Sequence, residues 1–113
     1  MIRRGEIYLV DWSPGRGSEQ AGVRPALVIQ NDVGNEFSPT TIVAAISTRV
    51  RRLYPFHVAI TARESGLPQN STVKCEQIQT IAQSRFVSRV GALSPAKMQE
   101  VDTAVRHSLG LES

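Results

Sequence analysis

Hydrophobic residues fall into six short runs in which β-branched side chains are frequent and which Gly, Pro and Asn residues separate. In one of them Phe56, Val58 and Ile60 alternate with His57 and Ala59, which places the first three on one face of a strand. Short runs of this kind are typical of a small β-barrel or a strongly curved sheet. The predicted strands are Glu6–Trp12, Pro25–Gln30, Thr40–Thr48, Phe56–Ile60, Ser71–Ile78 and Arg85–Leu93.

The end of the chain changes to a helical period. Ser94 is a good N-cap, Pro95 suits the first helical position, and Gly110 suits the residue after the helix. This predicts one amphipathic helix of about fifteen residues, roughly four turns, packed on the sheet. Its apolar stripe consists of Met98, Val101, Val105 and Leu109.

Length and composition fit one globular domain over residues 1–113, with 41% hydrophobic and 20% charged residues. The lone cysteine, Cys75, excludes an internal disulfide and a cysteine-cluster zinc site, and we expect it to be a small core residue. No apolar run reaches the length of a membrane span, and the N-terminus lacks the apolar core of a signal peptide. We therefore expect a cytoplasmic protein.

The net charge is +3, from 13 basic and 10 acidic residues. Only Lys74 and Lys97 are lysines, so arginine dominates the basic residues. Arginine grips phosphate in two places and stacks on bases, which favours a local anion-binding site. A genome that prefers arginine codons would produce the same bias, and composition alone leaves both explanations open.

Motifs for metal-dependent peptidases, P-loops, dinucleotide-binding folds and CxxC redox sites are absent from the sequence. We expect His57 and His107 to be surface residues, one in a strand and one at a helix end. Neither has a second ligand at helical or hairpin spacing. The sequence therefore predicts neither a metal site nor a cofactor.

The segment from Ser13 to Pro25 is long for a link between two barrel strands, and it is rich in glycine. It is either an ordinary surface loop or a functional one. If Pro25–Gln30 and Thr41–Ser47 pair antiparallel, Gln30 lies opposite Thr41 and Arg24 lies opposite Ser47. A cation and a hydroxyl then meet near Glu19, and these groups suit phosphodiester chemistry.

Three consecutive stretches resemble the MazF/PemK family of toxin endoribonucleases: GEIYLVD at 5–11, GSEQAG at 17–22 and VRPALVIQND at 23–32. The similarity continues through VAAIST at 43–48 and EQIQTI at 76–81 and covers nearly the whole chain. The resemblance implies a mostly β fold, a small SH3-like barrel with a C-terminal helix as in MazF and CcdB. It also implies a homodimer that cleaves single-stranded RNA at short sequences without a metal.

The resemblance further implies a cognate antitoxin, which we expect to carry an acidic and hydrophobic disordered tail. The family's catalytic arginine corresponds to Arg24, and the glutamate of its GSEQ loop corresponds to Glu19. The family's threonine position holds Ser47, with Thr48 next to it; we favour Ser47 and keep Thr48 as the alternative. The implied reaction is attack of the RNA 2′-OH on its own phosphorus, which leaves a 2′,3′-cyclic phosphate and a 5′-OH.

Other polar residues are candidates for RNA binding. Each of them also fits the alternative interpretation that it is an ordinary solvated residue of a loop or strand. Arginines beside aromatic residues follow the third predicted strand, where they suit phosphates and unstacked bases. The candidates are Ser18, Gln20, Arg49, Arg51, Arg52, Gln77, Gln79 and Arg85. Two other functions stay open: a barrel toxin that binds a topoisomerase without catalysis, and an RNA-binding barrel that does not cut.

Overall fold

The computed structural model describes residues 1–12 and 22–111 of the chain. Within that part the chain forms six strands, three α-helices and a 3₁₀ turn at Gln83–Arg85. The strands are β1 (Glu6–Asp11), β2 (Val23–Val28), β3 (Thr40–Ser47), β4 (His57–Ile60), β5 (Ser71–Ala82) and β6 (Phe86–Ala92). The helices are α1 (Asp32–Phe37), α2 (Ala62–Ser65) and α3 (Pro95–Leu109).

All six predicted strands are present, and β5 extends four residues beyond its predicted end at Ile78. The C-terminal helix is also confirmed with both of its ends. The Ser94 hydroxyl accepts a hydrogen bond from the Lys97 N–H, and Gly110 adopts a φ of 71°. Leu109 was wrongly placed on the buried stripe: it is exposed, whereas Ala104 is buried, because the last turn of α3 projects beyond the sheet.

Two short helices were not predicted. α1 occupies the segment that we expected to be the Asn31–Thr40 loop, and the Asn31 side chain caps it by accepting from the Gly34 N–H. α2 begins after Thr61, which forms a capping box with Glu64. Both helices are held by local hydrogen bonds and lack a repeating apolar stripe, which is why hydrophobic periodicity gave no sign of them.

The strands form one antiparallel sheet in the order β4-β5-β3-β2-β1-β6. On β2 and β3, Ala26 lies opposite Ala45 and Val28 lies opposite Val43. This is the register predicted from the sequence. The regular pairing ends at Ala26 and Ala45, two residues short of the predicted pair of Arg24 with Ser47.

β4 and β6 are the edges of the sheet, and among the described residues no strand pairing closes it. A bulge in β5 takes residues 75–77 out of the regular ladder, because Ala44 pairs with Ile78 while Ala45 pairs with Lys74. At the far edge, Gly91 of β6 packs so closely on α2 that an added Cβ would lie 2.3 Å from the Ser65 carbonyl oxygen. The predicted mostly β, barrel-like fold with a C-terminal helix is therefore confirmed.

Two apolar clusters fill the two faces of the sheet. Met98, Val101 and Ala104 of α3 cover the first, which includes Ile7 and Leu27. The second contains Val10, Trp12, Ala26, Val28 and Val43. Because the central strands are buried on both faces, they form nearly continuous apolar runs in the sequence.

Candidate active site

A cleft of about 310 Å³ lies where β2 begins and β3 ends. Its volume is at the small end of the range for ligand pockets. The register described above brings Arg24 to one wall and Ser47 to the other. The residues that line the cleft are Arg24, Pro25, Ala45, Ile46, Ser47, Thr48, Arg49, Ser71, Lys74 and Gln77.

Among the described residues, three cationic side chains line this cleft, namely Arg24, Arg49 and Lys74, and no carboxylate does. Arg24 and Arg49 are exposed, and Lys74 is half-buried. A concave surface lined with one sign of charge concentrates ions of the opposite sign. The cleft is therefore suited to a polyanion such as a nucleic-acid backbone.

Lys74 was not among the predicted site residues. It reaches the cleft because it pairs with Ala45 immediately before the β5 bulge. Gln77, which was predicted, lies within the bulge and also lines the cleft. Hydrophobic periodicity does not reveal a bulge that redirects side chains. The only feature that distinguished Lys74 in the sequence is that it is one of two lysines.

The two candidate hydroxyls differ in how firmly they are held. The Ser47 hydroxyl oxygen accepts a hydrogen bond from the Arg49 N–H at 3.0 Å, and the Ser47 side chain is half-buried. Thr48 is exposed at the rim of the cleft. A hydroxyl that accepts from the backbone still has its own proton to donate.

The remaining predicted RNA-binding residues are spread more widely. Arg51 lines a shallow depression that continues from the cleft through Thr48 and Arg49. Arg52 is exposed, with its guanidinium carbon 5.1 Å from the centre of the Tyr54 ring.

Gln79 and Arg85 lie outside the cleft. Gln79 is exposed on β5 opposite Val43. Arg85 sits in the 3₁₀ turn before β6 and donates a hydrogen bond to the Asp11 carbonyl oxygen at 3.3 Å. Ser18, Glu19 and Gln20 lie outside the described residues.

His57 is not a surface residue as we expected, because its side chain is only 6% exposed. Its Nε2 lies 3.3 Å from a carboxylate oxygen of Glu76, and its Nδ1 accepts from the Tyr54 N–H. Glu76 belongs to the β5 bulge, so periodic patterns in the sequence do not reveal this partner. His107 is exposed on α3, as expected.

Two buried groups lie near the site. Burial raises the pKa of the Cys75 thiol to about 12, so that Cys75 is the inert core residue that the sequence predicted. Trp12 directly follows β1, and its buried indole N–H has no hydrogen-bond partner among the described residues. The indole belongs to the second apolar cluster, on the opposite side of β2 from α3.

Within residues 1–12 and 22–111, no group of three or more His, Cys, Asp or Glu side chains is arranged to hold a metal ion. Among the helices in the same ranges, none has the length and apolar character needed to cross a membrane.

Comparison with known proteins places the chain in one family. A family model described as PemK-like, MazF-like toxin of type II toxin–antitoxin system matches residues 3–109. A mycobacterial endoribonuclease, solved in complex with its cognate antitoxin, is 25% identical with a TM-score of 0.84 over 100% of this chain and 99% of that one. The Mycobacterium tuberculosis toxin MazF-mt6 is 25% identical with a TM-score of 0.81 over 96% and 99%.

The fold is also that of MazF from Deinococcus radiodurans, which is 23% identical with a TM-score of 0.80 over 96% of each chain. The fold thus agrees with the family that the sequence stretches suggested. Since the family model covers nearly the whole chain, this protein belongs to the PemK-like, MazF-like toxins of type II toxin–antitoxin systems.

Proposed function

We propose a mechanism by which this toxin cuts its substrate. Like the mycobacterial protein that it resembles, it is an endoribonuclease. It cleaves single-stranded RNA at short sequences by attack of a substrate 2′-OH on the adjacent phosphorus. One observation carries the proposal: Arg24, Arg49 and Lys74 line the same cleft as Ser47 and Thr48. The arrangement offers several cations to one phosphodiester and a hydroxyl beside it.

Arg24 is the proposed transition-state cation. The reaction passes through a phosphorane with more negative charge on its oxygens than the starting diester, and a fixed guanidinium stabilises that extra charge. Its planar fork donates two parallel hydrogen bonds to oxygens on one phosphorus, which a lysine does not do. Lys74 and Arg49 then hold the flanking phosphates.

Ser47 is the proposed catalytic hydroxyl. The hydrogen bond from the Arg49 N–H fixes the position of its oxygen, which offsets the freedom that serine has relative to the β-branched threonine. The Ser47 proton remains available for an oxygen of the phosphorane. Thr48, exposed at the rim, is assigned to substrate contact.

The bond changes balance within the substrate. The 2′-oxygen forms a bond to phosphorus and loses its proton, while the bond from phosphorus to the 5′-oxygen breaks and that oxygen gains a proton. The products are a 2′,3′-cyclic phosphate and a 5′-OH. The step consumes no water and needs neither a metal nor a cofactor, and DNA is no substrate because it lacks the 2′-OH. Glu19 is the proposed proton acceptor, because it corresponds to the glutamate in the GSEQ motif of the family that the sequence resembles.

The remaining candidates are assigned to binding the RNA on either side of the cleft. Gln77 lines it and offers an amide to a base edge. Arg51 and Arg52 extend the cationic surface along the β3–β4 loop. Ser18, Gln20, Gln79 and Arg85 complete the proposed RNA-binding set.

An incubation with long single-stranded RNA in EDTA tests the proposal against the two other functions. Cleavage supports the ribonuclease. RNA retention without cleavage supports an RNA-binding barrel, and neither cleavage nor retention supports a toxin that binds a topoisomerase. The Arg24→Ala protein is the matched control for a contaminating nuclease.

The proposed partners follow from the same cationic surface. We propose that the toxin acts as a homodimer in the cytoplasm and that a cognate antitoxin neutralises it. An acidic, hydrophobic tail of the antitoxin would occupy the cleft that otherwise holds RNA, and it would become ordered on binding.

A further inference from the structure

The loop between β3 and β4 brings three rings together at the surface. Tyr54 and Phe56 are stacked, with ring centres 5.4 Å apart and planes 10° from parallel. The His57 ring is steeply inclined to both, and its centre lies 5.9 Å from the ring centre of Tyr54 and 4.7 Å from that of Phe56. Tyr54 is nevertheless 45% exposed, so a large aromatic ring is presented to solvent in a chain with only 5% aromatic residues.

Hydrogen bonds fix the position of Tyr54. Its N–H donates to Nδ1 of His57 at 3.1 Å, and the His57 N–H donates back to the Tyr54 carbonyl oxygen at 2.9 Å. Pro55 stiffens the turn between them. Because Nδ1 accepts, a neutral His57 carries its proton on Nε2, which faces Glu76. The ring of Tyr54 is thus presented by a rigid turn.

The turn adjoins the candidate active site. His57 pairs with Lys74, and Lys74 pairs with Ala45, so that these three side chains lie on the same face of the sheet. Lys74 and Ala45 both line the cleft. Neighbouring strands lie about 5 Å apart, which places the rings within reach of the nucleotide next to the one in the cleft.

Apart from Glu76, which lies beside His57, the charges of this loop suit RNA. No acidic residue occurs between Glu36 and Glu64 in the sequence. Arg49, Arg51 and Arg52 are exposed, and no salt bridge between described residues involves them. An exposed ring among such arginines is the arrangement in which proteins stack unpaired bases while they hold the backbone.

We propose that Tyr54 is a stacking site for one unpaired base of the RNA, next to the scissile nucleotide. The inference rests on the proposed function and adds a specificity-determining residue to it. The guanidinium of Arg52 covers the ring in the free protein. The arriving base displaces it, because base stacking on an aromatic ring is stronger than an exposed cation–π contact, and Arg52 then reaches a phosphate.

The test uses a short RNA that contains the mapped cleavage site. A 2′-deoxy sugar at the scissile nucleotide lets it bind without being cut, and 2-aminopurine replaces one base at a time. We expect the wild-type protein to quench the fluorescence at one position beside the scissile nucleotide. Tyr54→Ala should lose that quenching and bind about tenfold more weakly, whereas Tyr54→Phe should keep both.

Leu53→Ala is the matched control, because Leu53 is exposed in the same loop and has no ring. On cleavable RNA, Tyr54→Ala should raise KM about tenfold and leave kcat nearly unchanged. Wild-type quenching and affinity in Tyr54→Ala, or an equal loss in Leu53→Ala, would overturn the stacking site. Failure of the wild-type protein to cut any RNA would instead overturn the proposed function.

Discussion

Arg24, near the start of β2, and Ser47, at the end of β3, line the same cleft, two residues beyond the last regular pair of these strands, Ala26 with Ala45. The residues Ala26–Val28 and 43–46 next to them on the two strands are buried in the core, so both are held by a rigid sheet. An exposed cation and a positioned hydroxyl at such a place are available for chemistry without being needed for stability.

Arg24→Ala should lower the rate of RNA cleavage by about two to three decades and leave the fold intact. Arg24 is exposed, so truncation removes no core packing, whereas loss of a transition-state cation costs a few kcal/mol. Single-turnover cleavage of a defined RNA measures the loss, and thermal unfolding checks the fold. Arg63→Ala, which removes an exposed arginine from α2, is the control. A folded Arg24→Ala protein that cleaves at the wild-type rate would refute the assignment.

Ser47→Ala should reduce the cleavage rate more than Thr48→Ala does. Only the Ser47 hydroxyl is fixed by the backbone, through the Arg49 N–H. Thr48→Ala should mainly raise KM, because Thr48 lies at the rim. Values of kcat and KM for both variants on one RNA separate these effects. The opposite order would make Thr48 the catalytic hydroxyl.

Lys74→Met should weaken RNA binding by a similar factor for all sequences and make it less sensitive to salt. A lysine that contacts one phosphate contributes about 0.7 to the slope of log affinity against log salt for single strands. Binding of a non-cleavable RNA at several salt concentrations gives that slope. Arg106→Met is the control, since Arg106 is an exposed cation in the last turn of α3 and does not line the cleft. An unchanged slope in Lys74→Met would show that Lys74 does not contact the backbone.

RNA and the antitoxin should displace each other from the toxin. RNA binding should weaken as salt rises, because it is largely electrostatic, whereas apolar anchors should hold the antitoxin tail better. A competition titration at two salt concentrations measures both effects. Simultaneous binding of the two would mean that the antitoxin inhibits by changing the conformation of the toxin.

The sequence predicted the part of the site that depends on regular strands. The antiparallel pairing predicted for Pro25–Gln30 and Thr41–Ser47 has the register that the structure shows, with Ala26 opposite Ala45. Lys74 and the contact of the buried His57 side chain with the exposed Glu76 were missed. Both depend on the bulge in β5, where three residues leave the regular pairing and no periodic pattern shows it.

The most direct measurement of the central claim is the chemistry of the cut. The account predicts that the protein cleaves a defined single-stranded RNA in EDTA and leaves a 2′,3′-cyclic phosphate on one fragment and a 5′-OH on the other. A single 2′-deoxy sugar at the scissile nucleotide should abolish that cut, while the same change one nucleotide further along should not. Cleavage that needs Mg²⁺, leaves a 5′-phosphate or tolerates the 2′-deoxy sugar at the scissile nucleotide would contradict the account.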